Sequence, residues 1–173
     1  AENKEEKITL LAPNSEFFAS KVCDTFEEAI DLCVEALEKQ VKKAKEMIEK
    51  LGFKVKFSKN LFSNTNGYSA TAKEKAEDIN EMFKDNDVKM IWCAKGGENS
   101  NSTFEYLDYE TIKQNPKIVC GYSDITSITN IITEKTGLVT FSGTNFKTIA
   151  TDDTDYSLKE VLKVKKKKKC AIG

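Results

Sequence analysis

Three short apolar runs, VKMIWCA (Val88 to Ala94), KIVCGY (Lys117 to Tyr122) and LVTFSG (Leu138 to Gly143), are each separated from the next by a stretch of helix length. Strands that are apolar along their whole length are buried on both faces, and strands joined through helices run parallel. The pattern predicts an α/β fold: a mainly parallel sheet flanked by helices on both faces, a three-layer arrangement of the Rossmann or flavodoxin-like kind. In such sheets the functional site lies at the carboxyl ends of the strands.

The remaining segments fit that frame. KITLLAP (Lys7 to Pro13) reads as a short buried strand ended by a proline, and FKVKF (Phe53 to Phe57) alternates as a strand does. Between them TFEEAIDLCVEALEKQVKKAKEMIEKLG carries the strongest helix signal, with a capping box from Thr25 to Glu28 and a stop at Gly52. Its apolar residues Ile30, Val34, Leu37, Val41, Ala44, Ile48 and Leu51 form a narrow seam. Packing on the sheet is the favoured use of that seam, and a homodimer contact is the alternative. SKNLFSNTNGYSA reads as a loop, Thr71 to Phe83 as a second helix, and short helices follow at about 102–107 and 108–113. SDITSITNIITEKTG gives a helix that Ser123 or Asp124 could cap and Gly137 could end.

A length of 173 residues suits one domain, placed at 1–147, followed by a linker and lysine-rich tail at 148–173. Lys plus Arg number 27 against 28 Asp plus Glu, so no global field argues for nucleic acid. The cysteines (Cys23, Cys33, Cys93, Cys120 and Cys170) are scattered, form no CxxC pair, and have no histidine to complete a zinc site. Reduced thiols in a cytoplasmic protein, with no metal and no cofactor, are the expectation. The charged start, AENKEEK, does not read as a secretory signal, and no apolar run reaches the roughly 18 residues of a membrane span.

Past the strand Val88 to Ala94 comes AKGGENSNS, where two adjacent glycines lead into a helix. A tight strand-to-helix turn can expose a nucleophile and converge unpaired backbone N–H groups on an oxyanion. Gly96 and Gly97 would supply the turn, Ser100 the nucleophile, and the amides of Gly97 and Asn101 the oxyanion hole. Spacing alone leaves three readings of Ser100 open: a helix cap, a nucleophile, or part of an anion site. The spacing is neither the G-x-S-x-G elbow nor the P-loop pattern.

The wider sequence narrows these readings. IWCAKGGENSNSTFEYLDYETIKQNPKIVCGYSDITSITNIITEKTGLVTFSG resembles the LD-carboxypeptidase family of serine peptidases, and the GGxNSN form is similar to the branch that includes microcin C immunity proteins. LAPNS, LGFKVKFSKN and YSATAKEKAEDINEMFKDNDVK extend the likeness over most of residues 7 to 147. The resemblance implies Ser100 as nucleophile and an oxyanion hole near Gly97 and Asn101. It also implies hydrolysis of an amide bond close to a free carboxylate, in a murein peptide or a peptide–nucleotide. Gly96, Asn99, Tyr122, Ser123 and Asp124 are then candidates for contacting substrate. Packing is the default for Tyr122, helix capping is favoured for Asp124, and a solvated side chain is favoured for Lys95 over one that attracts a substrate carboxylate. Trp92 reads as core.

The family's triad also needs a Glu and a His from a second, C-terminal domain, and the sequence contains no histidine. No other group is an obvious substitute for the base, so the chain by itself is expected to be nearly inactive. A non-catalytic module that keeps the pocket without the chemistry is the alternative. Ser142 stands where a His or Tyr is expected. The ending VKKKKKCAIG reads as the product of a frameshift or of a shortened chain. A polybasic prenylation signal at Cys170, giving membrane contact through the lysines, is the functional alternative.

Overall fold

The structure is a computed structural model and describes residues 7–12, 15–20, 26–63 and 70–150. Its centre is a parallel sheet of β3 (Met90–Trp92), β4 (Ile118–Gly121) and β5 (Phe141–Ser142), side by side in chain order. Between β3 and β4 come a 3-10 helix (Ser100–Tyr106) and α3 (Tyr109–Gln114). Between β4 and β5 comes α4 (Ile125–Thr136), which Gly137 ends in a left-handed conformation.

Successive side chains of a strand point to opposite faces, and β3 shows the consequence. Ile91, level with Val119 of β4, joins a core with Ala76 and Phe83 of α2 (Ala72–Lys84), Ile112 of α3, and Ile128 and Ile132 of α4. Trp92 faces the other way, against Val41, Ala44 and Ile48 of α1 (Phe26–Lys50) and Phe146 of a second 3-10 helix (Phe146–Ala150). Helices therefore cover both faces, as the apolar strands require. Each fully buried aliphatic or aromatic side chain contributes roughly 1.5–3 kcal/mol, so Phe83, Ile112 and Ile132 anchor the first layer.

The helices begin and end for reasons the sequence states. Thr71 accepts from the Glu74 N–H while the Glu74 carboxylate accepts from the Thr71 N–H, a complete capping box for α2. Asp108 caps α3 through the Thr111 N–H. Gly52, with φ of +85°, follows α1. The described part of the α1 seam is covered within the chain, although Leu51 remains 48% exposed. Thr25 and the side chains of Ile30, Val34 and Leu37 lie outside the described residues, as does the tail from 151 to 173.

Two expected strands are corrected. KITLLAP does not enter the parallel sheet: β1 (Lys7–Ala12) pairs antiparallel with β2 (Ser15–Ser20) in a separate hairpin. FKVKF is irregular. Phe53, Val55 and Phe57 pack against the α1 layer while Lys54 and Lys56 are exposed, so the alternation survives without a ladder. With β1 paired to β2, no described strand runs alongside it, and Lys56 is held instead by Asp85 at 2.6 Å.

Candidate functional site

The glycine turn follows β3, and the turn Tyr122–Asp124 follows β4, so both meet at the carboxyl end of the sheet. The chain beyond β5 closes the same end: the Phe146 N–H donates to the Cys93 carbonyl at 2.9 Å and the Lys147 N–H to the Ala94 carbonyl at 3.1 Å. Buried Asn145 accepts from the Tyr122 N–H at 3.1 Å, linking this segment to the end of β4.

Ser100 is the first residue of its 3-10 helix, and only 8% of it is exposed. Its side chain does not cap that helix. The cap position belongs to Asn99, which makes no side-chain cap bond; its Oδ1 accepts from Lys75 Nζ of α2 at 3.0 Å. The Ser100 hydroxyl donates to Asp124 Oδ2 at 2.6 Å, and the Ser100 N–H donates to the same oxygen at 2.9 Å. The hydroxyl bond is short for O–H···O, while the N–H bond has ordinary length.

Asp124 thus departs from the expected helix cap. It occupies the cap position of α4 but makes no side-chain cap bond there. Its carboxylate turns to the neighbouring turn, and its own carbonyl accepts from the Ser127 N–H and hydroxyl. The residue before it, Ser123, has φ of +67° and is the one non-glycine residue with positive φ among the described residues. Left-handed backbone costs an ordinary residue about 1–2 kcal/mol, so the packing around Ser123 holds it there.

The glycines let the two turns approach. A Cβ at Gly96 would come within 3.0 Å of Ser123 Cβ, and one at Gly97 within 3.3 Å of Asp124 Oδ2. Gly96, Gly97, Ser100, Tyr122, Ser123 and Asp124 are brought together. Asn101 is next to them on an exposed stretch, while the Asn99 side chain turns toward α2.

Burial lowers the pKa of Lys95, which is half-buried rather than solvated. Buried Lys147, across from Ala94, has its pKa lowered to about 8, first by burial and then by repulsion from Lys95. Burial pushes the Cys93 thiol up to about 12, and Cys120 is raised for the same reason, so neither is a ready thiolate nucleophile. Among the described residues no group of three or more metal-ligating side chains converges. No helix among them is long and apolar enough to cross a membrane.

Sequence reasoning missed the bond from Ser100 to Asp124, and with it Asn145 and Lys147. The available signal was positional: Asp124 stands just past β4 as Ser100 stands past β3, and neighbouring parallel strands bring such turns together.

Residues 29–143 match the LD-carboxypeptidase N-terminal domain. Residues 2–49 match a second model, that of the sigma 54 modulation protein / S30EA ribosomal protein. The match to the LD-carboxypeptidase domain begins within α1. A putative carboxypeptidase YocD of Bacillus subtilis (strain 168) is 45% identical over 107 residues, which are 62% of this chain and 33% of that protein. A probable murein peptide carboxypeptidase of the same organism is 43% identical over 108 residues, 61% of this chain and 34% of that protein. The solved structure of microcin C7 self immunity protein MccF in complex with aspartyl sulfamoyl adenosine aligns with a TM-score of 0.70 and 34% identity, over 75% of this chain and 39% of that one. The chain spans about a third of the length of the curated relatives it matches.

Proposed function

The chain belongs to the LD-carboxypeptidase family through its N-terminal domain, and from that premise we propose that it is the nucleophile-bearing part of a serine hydrolase. The bond it acts on is an amide close to a free carboxylate. Ser100 attacks the carbonyl carbon, and the backbone N–H groups of Gly97 and Asn101 receive the developing oxyanion. Gly96, Tyr122 and Ser123 line the approach. The observation that carries this reading is the convergence of the glycine turn, Ser100 and the Tyr122–Asp124 turn at the carboxyl end of the parallel sheet.

The names of the relatives point to two substrate classes, a murein peptide and an aminoacyl nucleotide of the kind bound by MccF. Both offer a carboxylate near the scissile bond. The general base that the family resemblance implies is a histidine, and these 173 residues contain none. The base is therefore supplied from outside them, and the chain alone hydrolyses slowly at best. In a Ser-His-Asp enzyme, removing the histidine costs on the order of a millionfold in turnover.

The test is hydrolysis of an L-Lys–D-Ala peptide by the purified chain and by Ser100→Ala. The expected result is turnover near background for both. Robust cleavage by the chain that Ser100→Ala abolishes would show that the base lies within these residues.

A further inference from the structure

Two hydrogen bonds from one residue converge on one oxygen: the Ser100 N–H and hydroxyl both reach Asp124 Oδ2, at 2.9 and 2.6 Å. The geometry is built from both sides. Ser123, in its left-handed conformation, redirects the chain just before Asp124, and Asp124 leaves its own helix uncapped to make the contact. Opposite it, Gly97 leaves the space that the carboxylate needs, since a Cβ there would lie 3.3 Å from Oδ2. Asp124 comes from a different strand than Ser100, so the contact also ties the β3 turn to the β4 turn.

We propose that Asp124 is a positioning residue for Ser100: it fixes the serine backbone and the serine rotamer together, so that the oxygen is already oriented when a base engages it. This rests on the reading of Ser100 as nucleophile. The proton stays on the serine oxygen in this bond, and no bond is made or broken by Asp124. Because one oxygen accepts both hydrogens, a neutral amide oxygen of the same shape can do the same work. Asp124→Asn therefore separates placement from charge.

The experiment compares the full chain with Asp124→Asn and Asp124→Ala. It reads amide hydrogen exchange at Ser100 and the rate at which phenylmethanesulfonyl fluoride modifies Ser100, followed by peptide mass spectrometry. Removing the shared acceptor of two part-buried hydrogen bonds should make Ser100 amide exchange in Asp124→Ala about tenfold or more faster, and Ser100 modification about tenfold or more slower. Asp124→Asn should stay within about threefold of the parent. Unchanged exchange at β3 and β4 amides shows that the fold is intact. If Asp124→Ala is unstable, Asp124→Ser, whose hydroxyl can cap α4 but is one atom shorter than the carboxylate that reaches Ser100, replaces it with the same expectation.

The proposal is overturned if Asp124→Ala matches the parent, or if Asp124→Asn falls as far as Asp124→Ala. If the parent itself is not modified, the nucleophile reading fails, and the exchange ratio alone decides whether Asp124 holds Ser100.

Discussion

Ser123 and Gly96 touch so closely that neither position tolerates the other's enlargement. A Cβ on Gly96 would meet Ser123 Cβ at 3.0 Å, its Oγ at 3.2 Å and the Tyr122 carbonyl oxygen at 3.4 Å. Contacts this short force backbone or side-chain shifts that cost about 1–3 kcal/mol. Gly96→Ala should destabilise the chain by that amount in urea unfolding. Two of the three close atoms belong to the Ser123 side chain, so Ser123→Gly removes them. It also relieves a left-handed residue of about 1 kcal/mol of strain. The double variant should therefore be more stable than Gly96→Ala alone, and a purely additive cycle would contradict the contact.

Asn145 joins the last segment to the end of β4 by accepting the Tyr122 N–H. It is 5% exposed, so no bulk water replaces it. Asn145→Ala should cost about 1–3 kcal/mol, the cost of leaving a buried donor unsatisfied. The exchange rate of the Tyr122 amide should rise more than those of Val119 and Cys120. A uniform rise along β4 would indicate global destabilisation instead.

Lys147 links stability to pH in the direction opposite to a salt-bridged lysine. Its folded pKa is lowered to about 8 from 10.5 by burial and by Lys95. Between those values the unfolded chain binds more protons than the folded one, so stability rises with pH. Below about 8 both states are protonated and the full penalty is present. Because the raised Cys93 thiol works the other way above about pH 9, the readout is the difference from Lys147→Met: the parent's melting temperature should gain on that of the variant between pH 8 and 10. A difference between parent and Lys147→Met that stays constant across the interval would contradict the burial of the charge.

The layered core was legible because it depends on patterns that tertiary context rarely overrides. Apolar runs at β3 and β4, the helical pattern from Thr71 to Phe83 and the Gly137 stop each have a local cause, and each element stands where that cause put it. The edges were not legible. FKVKF alternates as a strand should, but a strand also needs a neighbour, and KITLLAP pairs with Ser15–Ser20. The two family matches overlap on α1, at residues 29–49.

The site divides in the same way. The glycine turn and Ser100 could be read from one contiguous stretch, because turn chemistry is local. The partner of Ser100 could not, since Asp124 has the sequence signature of an ordinary helix start. Only the packing of two strand-end turns shows that its carboxylate leaves that helix and crosses to the serine.

A covalent serine probe reads most directly whether Ser100 is a placed nucleophile. Incubating the full chain with a fluorophosphonate and mapping adducts by peptide mass spectrometry should give modification at Ser100, slow but selective over Ser102, Ser123 and Ser142. Ser100→Ala should abolish it. Modification spread evenly over the exposed serines, or adducts that persist in Ser100→Ala, would contradict the account.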